Sequence, residues 1–114
     1  MREVLANTTP LIALANIDRL GLLNKLYGTI IVPQAVMDEI TREQKADLVI
    51  MDDDAAKKTA KFLGLNVTGT LGVLLKAKRE GYLEKLEPVM DELIRDGFFI
   101  SETVKRYVLK EAGE

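Results

Sequence analysis

The sequence contains no cysteine, no histidine and no tryptophan among its 114 residues. Without cysteine, disulfides and thiolate metal sites are excluded. Without histidine, zinc–imidazole sites, histidine acid–base catalysis and serine–histidine triads are excluded as well. The groups that remain for chemistry are carboxylates, hydroxyls, lysines and the backbone. A metal site in this chain is therefore expected to use oxygen ligands, which suit Mg²⁺ or Mn²⁺.

Long hydrophobic runs are missing too. No apolar stretch approaches the roughly 18 residues of a membrane-spanning helix, and the N-terminus has no signal-peptide pattern. With 47% hydrophobic and 30% charged residues, the composition predicts a globular, cytoplasmic protein without a membrane partner. The length predicts one domain spanning 1–114. A net charge of −2 argues against a broad surface for nucleic-acid backbone, but not against an enzyme that contacts RNA at one metal-lined spot.

Short β-rich runs alternate with helical patterns, which is typical of βαβ units around a parallel sheet. The predicted strands cover residues 3–6, 29–32, 48–51 and 67–68. The predicted helices cover 10–27 with a weak point at 18–21, then 34–46, 52–63 and 71–80, and a C-terminal helical pair within 82–114. Thr8 or Thr9 is predicted to cap the first helix, Thr70 the fourth and Ser101 the last.

The first of the two C-terminal helices carries an apolar stripe at helical spacing. The residues of this stripe are Leu86, Val89, Met90, Leu93 and Ile94. Such periodicity is the usual signal of a helix that packs on a core. We expect the stripe to cover the sheet or a partner chain rather than to hold a cofactor.

Two polar segments follow strands that are expected to be neighbours. The third strand should lie beside the first, which gives a three-layer α/β/α fold with a parallel sheet in the order 2-1-3-4. In such sheets ligands bind beyond the carboxyl ends of the strands, where the strand order reverses. Asn7-Thr8-Thr9 and Asp52-Asp53-Asp54 are therefore expected side by side at one edge of the sheet.

The three consecutive aspartates, Asp52, Asp53 and Asp54, have two structural interpretations. One aspartate would satisfy the needs of a helix N-cap and of the helix dipole. Three adjacent carboxylates repel one another, however, and a divalent cation held by oxygen ligands would offset that repulsion. An acidic helix cap and a metal site both remain open from these residues alone.

Glu39 is the better acidic candidate on the predicted helix 34–46. Helical spacing places Glu39 beside the apolar side of this helix, whereas Asp38 points away. Burying an unpaired carboxylate is costly, so its position needs a reason, although a surface acid remains the alternative. Asn7 adds no charge but can order a turn or bind a metal weakly through its carbonyl oxygen. The hydroxyl of Thr9 can hold a metal-bound water, and helix capping explains Thr9 equally well.

Four segments resemble consecutive blocks of PIN-domain proteins, most closely the toxin-type, VapC-like endoribonucleases. The segments are ANTTPLIALANIDRLGLLNKLYG, IIVPQAVMDEI, KADLVIMDDDAAKKTAKFLGL and VTGTLGVLLKAKREG. They occur in the family's order and cover nearly the whole chain. The resemblance implies hydrolysis of RNA phosphodiester bonds with Mg²⁺ or Mn²⁺ held by clustered acids, where the metal activates water and stabilises charge.

The resemblance implies catalytic positions at Asn7, Thr9, Glu39, Asp52 and Asp53, with Glu39, Asp52 and Asp53 as metal ligands. Asn7 stands where the family has its first acid. PIN proteins usually carry a further acid on a helix before the third strand, in a block resembling GEAEAIALA. This chain instead runs directly through DEITREQKADLVIM, so it resembles a shortened member that lacks this helix and its acid. Fewer acids should bind a divalent ion more weakly and disfavour a two-metal site.

The expected function is a PIN-like, metal-dependent endoribonuclease of weak activity towards single-stranded RNA. The alternative is a non-catalytic PIN-like remnant that acts as a dimerising or antitoxin-binding module. A receiver-like phosphoacceptor domain ranks third, because Asn7-Thr8-Thr9 does not provide the acidic pair that such domains need after their first strand. Loss of a helix would leave apolar surface bare, so we expect a homodimer.

Overall fold

The computed structural model describes residues 3–32 and 47–114. Within these residues the strands are β1 (Val4–Ala6), β2 (Ile30–Ile31), β3 (Leu48–Ile50) and β4 (Val67–Thr68). The helices are α1 (Thr8–Asn16), α2 (Gly21–Tyr27), α3 (Asp54–Phe62), α4 (Thr70–Arg79), α5 (Glu87–Arg95) and α6 (Glu102–Glu111). The helix predicted over 34–46, with Glu39 on it, lies outside the described residues. Across the two described ranges, every helix is too short or too polar to cross a lipid bilayer.

The four strands form one parallel sheet in the order β2-β1-β3-β4. In the centre of the sheet, Val4 of β1 pairs with Ile30 on one side and with Leu48 on the other. Ile50 of β3 pairs with Thr68 of β4. The predicted strand order and orientation are confirmed, although each strand is shorter than or equal to its predicted length.

Helices cover both faces of the sheet. Successive residues of a strand point to opposite faces. On one face Val4, Ala6, Leu48 and Ile50 belong to a core cluster shared with α1, α2, α4, α5 and α6. On the other face Val49 and Met51 pack with Ala60 of α3. The structure therefore has the predicted three-layer α/β/α architecture.

The apolar stripe of α5 faces the core of its own chain. The buried members of the stripe are Leu86, Val89, Met90 and Leu93. Ile94 is 40% exposed and lies outside the buried set.

The two C-terminal helices are separated by a short connection. Gly97, with φ at 94°, follows the end of α5. Ser101 caps α6 by accepting a hydrogen bond from the Val104 N–H, as predicted. An ion pair of 2.9 Å between Lys105 Nζ and Asp91 Oδ1 links the two helices.

Two predicted helix caps are wrong. Asn7, rather than Thr8 or Thr9, is the N-cap of α1, and its side-chain oxygen accepts a hydrogen bond from the Thr8 N–H at 2.7 Å. Asparagine competes well with threonine for this position, because its carbonyl oxygen reaches the free amides of the first turn. Thr70 is the first residue of α4 rather than its cap, and Gly69 stands before it without a side chain that could accept a hydrogen bond.

Candidate functional site

Three strands of the sheet end together at its carboxyl edge. The Asn7 N–H donates to the Ile50 carbonyl at 2.8 Å, and the Met51 N–H donates to the Thr68 carbonyl at 2.8 Å. The chain therefore leaves β1, β3 and β4 at the same level, with Asn7, Asp52 and Gly69 as the next polar or small residues. This is the convergence of the asparagine and aspartate loops that the strand order predicted.

Asn7 is half-buried at this edge, whereas Thr8 and Thr9 are exposed. The cap hydrogen bond to the Thr8 N–H fixes the Asn7 side chain, which leaves further lone-pair capacity on the same oxygen. Thr9 lines a shallow hollow of about 220 Å³ together with Ile12, Asn16 and Phe98. Thr9 thus lines a neighbouring depression and is not among the residues that line the cleft adjoining the aspartates.

The carboxylate of Asp52 is bound by both polar groups of Thr70. Oδ1 accepts a hydrogen bond from the Thr70 N–H at 2.8 Å, and Oδ2 accepts one from the Thr70 hydroxyl at 2.6 Å. Thr70 itself has no exposed surface. Because Gly69 has no side chain to cap α4, Asp52 serves as the cap from 18 residues away. The negative charge at a helix N-terminus is also favourable for the helix dipole.

Gly69 allows this close approach. A Cβ at Gly69 would lie 2.6 Å from Asp52 Oδ1 and 2.9 Å from Lys57 Nζ. Contacts of that length do not occur for real side chains, so any other residue would displace one of the two charged groups. Glycine at position 69 therefore brings the Asp52 carboxylate and the Lys57 ammonium towards the same point.

The three aspartates have three different surroundings. Asp53 is the N-cap of α3, where its Oδ1 accepts a hydrogen bond from the Ala55 N–H at 3.3 Å. Asp54 is the first residue of that helix and is exposed, and its carboxylate has neither a hydrogen bond nor an ion pair with any residue in the described ranges. Asp53 therefore provides the helix cap that the sequence predicts, and Asp54 provides the negative charge near the helix N-terminus. Asp52 is not needed for either purpose in α3, and it caps α4 instead.

A cleft of about 450 Å³ opens beside this edge. Asp52, Asp54 and Lys57 contribute its charged groups, and the N-terminal turn of α4 contributes one wall. The segment 98–101 and Val104 of α6 complete its lining. Asn7, Thr9 and Asp53 do not line the cleft, and Glu39 lies outside the described residues.

Sequence reasoning missed Lys57 and Phe99 as residues of this cleft. The sequence did contain a signal for Phe99. Phe98 and Phe99 are two of only three phenylalanines in a chain with 5% aromatic residues, and only Ile100 separates them from Ser101, the cap of α6. Nothing in the local pattern separates Lys57 from the other lysines of α3. Only the fold brings it next to Gly69.

The carboxylates at this edge are hard oxygen donors of the kind that Mg²⁺ and Mn²⁺ prefer. Asp52 keeps lone pairs beyond the two that Thr70 uses, and Asp53 Oδ2 accepts no hydrogen bond from the described residues. However, no group of three acids in residues 3–32 and 47–114 is arranged to hold a metal ion. The donor chemistry fits such an ion, but the described residues alone supply no complete ligand set, and Glu39, the third predicted ligand, lies outside them.

Comparison with known families gives a match to the PIN domain. The sequence model of the PIN domain matches residues 3–47 and 40–114, in two segments that overlap at 40–47. The matched residues cover almost the entire chain. No curated protein and no solved structure shows a significant match.

Proposed function

The chain belongs to the PIN-domain family, and we propose that it is a metal-dependent endoribonuclease of weak activity that hydrolyses single-stranded RNA. The observation that supports this function is the convergence of Asn7 and the aspartate loop at the carboxyl edge of the sheet, beside a cleft of about 450 Å³. Ligand sites of open parallel sheets lie at this edge, where the strand order reverses.

In this proposal Asp52, Asp53 and Glu39 hold one Mg²⁺ or Mn²⁺. The bound ion would supply an activated water and stabilise the developing negative charge. Asp52 is kept in one orientation by its two hydrogen bonds from Thr70, so little of its side-chain freedom is left to lose. Thr9, which lies outside the lining of the cleft, would order a water, and Asn7 offers a neutral carbonyl oxygen where the family has an acid.

Weak activity follows from the reduced charge of this set. The match to the family model divides at 40–47, and this is the stretch that runs directly from one family block to the next. By its resemblance to the family, the chain lacks the helix that carries one of the acids, and Asn7 stands in the place of a second. Because divalent affinity depends on the number and charge of the ligands, each loss weakens metal binding.

We further propose a toxin-type role in the cytoplasm, in which the protein forms a homodimer and an antitoxin protein occupies or covers the acidic edge. An antitoxin fits the proposed chemistry because a free nuclease of single-stranded RNA needs a partner that restrains it. A cationic side chain inserted beside Asp54, which has no ion pair among the described residues, is the contact that such a partner would offer.

One observation favours a second function, a non-catalytic PIN-like module that binds a partner. Asn7, Asp52 and Asp53 each cap a helix, so each has a structural reason to be present without a metal. In this alternative the polar residues at the carboxyl edge only stabilise the helices that they cap, and the protein functions by binding a partner at its surface.

The test compares the wild type with Asp53→Asn on a labelled single-stranded RNA, with Mn²⁺, with Mg²⁺ and with EDTA. Asparagine caps helices as well as aspartate does, so this change removes a ligand charge and keeps the cap. We expect slow cleavage by the wild type with either metal, none with EDTA, and none by Asp53→Asn, whose thermal midpoint should stay close to that of the wild type. If the wild type releases no product with either ion, the nuclease proposal is wrong and the binding module remains.

A further inference from the structure

The cleft beside Asp52 has an aromatic wall that the core does not use. Phe99 is 87% exposed although it lies between the half-buried residues Phe98 and Ile100. An exposed phenylalanine in a concave site presents a flat apolar face to whatever enters. The charged residues Asp54 and Lys57 of α3 line the same cleft.

Lys57 provides a cation in the same cleft. Its ammonium lies near Gly69 and Asp52, because a Cβ at Gly69 would be 2.9 Å from Lys57 Nζ. Lys57 is half-buried, and it forms no ion pair with any residue of the described ranges. The three ion pairs in those ranges are elsewhere, and they join Lys78 to Glu114, Arg79 to Glu111 and Lys105 to Asp91. The cleft therefore contains an ammonium group that is available to an anionic ligand.

We propose that this cleft binds one nucleotide of a single-stranded RNA, with the base stacked on Phe99 and the phosphate contacted by Lys57. This inference rests on the proposed function and assigns to the same site the residues that hold its substrate. Proteins that bind single strands combine a cationic path for the backbone with aromatic side chains that stack on bases. A volume of about 450 Å³ is in the range of small-ligand sites.

The charges of the cleft favour RNA over an apolar protein surface as the occupant of the Phe99 wall. A protein partner that covered Phe99 tightly would also dehydrate Asp54, whose carboxylate has no partner among the described residues, and burying an unpaired carboxylate is costly. A single RNA strand leaves the acids hydrated or available to a divalent ion while it covers the aromatic face. Phe99 and Lys57 are thus positioned to hold the strand next to the acidic edge.

The experiment measures binding of a fluorescein-labelled single-stranded RNA by anisotropy, in EDTA and again with Ca²⁺, at low ionic strength. Phe99→Ala is compared with Phe62→Ala, because Phe62 is 90% exposed and lies outside the lining of the cleft. We expect Phe99→Ala to weaken binding by about fivefold or more, and Phe62→Ala to leave it unchanged. An abasic strand of equal length is the second probe. Its affinity should be the same for the wild type and for Phe99→Ala, because it offers no base to stack.

The lysine is tested through the salt dependence of binding. Lys57→Gln is compared with Lys58→Gln, its exposed neighbour on the same helix, which does not line the cleft. Loss of one phosphate contact should reduce the slope of log affinity against log salt by about 0.7 for a single strand. Lys57→Gln should show this reduction with both the base-bearing and the abasic probes, whereas Lys58→Gln should keep the wild-type slope.

Several results would overturn the proposal. They are the absence of RNA binding by the wild type in both buffers, equal effects of Phe99→Ala and Phe62→Ala, and an equal loss of affinity for the abasic strand. A change of oligomeric state in Phe99→Ala with unchanged RNA affinity would identify the aromatic wall as a protein interface instead. Binding as expected without any Mn²⁺-dependent cleavage would leave the subsite in place and reject the nuclease. If the wild type cleaves RNA but substitutions of Phe99 and Lys57 leave RNA binding unchanged, the nuclease proposal stands and the proposed subsite is rejected.

Discussion

The carboxylate of Asp52 caps α4, and in the proposed function the same carboxylate also binds the metal ion. Its hydrogen bonds to Thr70, at 2.8 and 2.6 Å, hold the first turn of α4 at the sheet edge. Thr70 is completely buried, so its hydroxyl and amide depend on this partner. A variant of Asp52 that loses activity would consequently not identify a metal ligand, because the same change removes a helix cap.

Asp52→Ala should therefore destabilise the fold whether or not the protein is an enzyme. Leaving the buried Thr70 hydroxyl and amide without an acceptor should cost about 1–3 kcal/mol of unfolding free energy. Asp54→Ala is the matched control, because Asp54 is exposed and has no partner in the described ranges, and it should change stability by about 0.5 kcal/mol or less. Urea denaturation measures both. Equal stability of the two variants would contradict the capping role of Asp52.

The residues of the site were only partly accessible from the sequence. The convergence of Asn7 and the aspartates follows from strand order, and strand order follows from alternating β and α patterns. The hydrogen bond between Asp52 and Thr70 does not, because it joins the loop after β3 to the start of α4 across 18 residues and has no local signature. Lys57 and Phe99 were missed for the same reason, since a shared cleft is a property of the packed chain. The role of Glu39 stays a prediction.

The helices α4 and α5 begin in the same unusual way. The N-cap positions are Gly69 and Leu86, and neither makes a side-chain cap hydrogen bond. A carboxylate from a distant segment caps each helix instead, Asp52 for α4 and Glu114 for α5. Such caps tie helices to other parts of the chain, so they contribute to tertiary as well as secondary structure.

Glu114 accepts three hydrogen bonds at the start of α5. Oε2 accepts from the Leu86 N–H and from Lys78 Nζ, both at 2.7 Å, and Oε1 accepts from the Glu87 N–H at 3.3 Å. Burial alone would raise the pKa of Glu114, but the hydrogen bonds from Leu86, Lys78 and Glu87 outweigh it, so the net pKa lies below its ordinary value. A carboxyl whose pKa is lowered by folding stabilises the fold when ionised, and this stabilisation is lost as the pH falls through the lowered pKa.

Glu114→Gln should reduce stability at neutral pH and make it less sensitive to acid. The loss should be about 1–3 kcal/mol at pH 7, and the difference from the wild type should shrink below the ordinary pKa of 4.5, as the wild-type carboxylate becomes protonated. Glu111→Gln is the control, because its ion pair with Arg79 is long, at 3.7 Å, and exposed. Thermal melts over a pH series provide the measurement. A difference between the wild type and Glu114→Gln that does not vary with pH would contradict the role of the charge.

The order of elements was predictable, and the way each element starts was less so. Strands 48–50 and 67–68 carry β-branched runs between clear breakers, and Gly64, Gly81 and Gly97 adopt positive φ as helix ends require. The start of α1 was misjudged because Asn7, Thr8 and Thr9 are all competent caps, and only the exit direction of β1 selects among them. The local pattern predicts Thr70 as the cap of α4, whereas the acceptor that caps this helix, Asp52, comes from the loop after β3 and leaves no signal near position 70.

The apolar stripe of α5 is not the surface through which we expect a homodimer to form. The stripe of α5 covers its own core, so it is not available to a second chain. β2 is an edge strand of the sheet, and Ile31 and Val32 at this edge are 38% and 45% exposed. An exposed, apolar strand edge is a ready surface for pairing with another chain.

We expect light scattering at micromolar concentration to give twice the chain mass of 12.7 kDa. Val32→Lys should return the protein to a monomer, because a lysine at a strand edge opposes edge-to-edge association. Val104→Lys, which alters an apolar residue with a similar exposure of 42% on α6, should remain dimeric. A wild-type monomer would rule out the homodimer. A monomer produced by Val104→Lys instead would move the interface to the C-terminal helix.

Restoring charge at Asn7 tests whether the acidic edge binds metal at all, with the stability of the whole fold as the readout. Asn7→Asp keeps a competent cap for α1 and adds a carboxylate where the family has one, whereas Asn7→Ser keeps a cap without the charge. Both variants should melt near the wild type in EDTA. With saturating Mn²⁺, a tenfold gain in affinity adds about 1.4 kcal/mol of stability, so only Asn7→Asp should gain several degrees over the wild type. The gain should be accompanied by faster RNA cleavage. If Asn7→Asp and Asn7→Ser respond equally to Mn²⁺, the carboxylates at this edge act only as helix caps, and the binding-module alternative is correct.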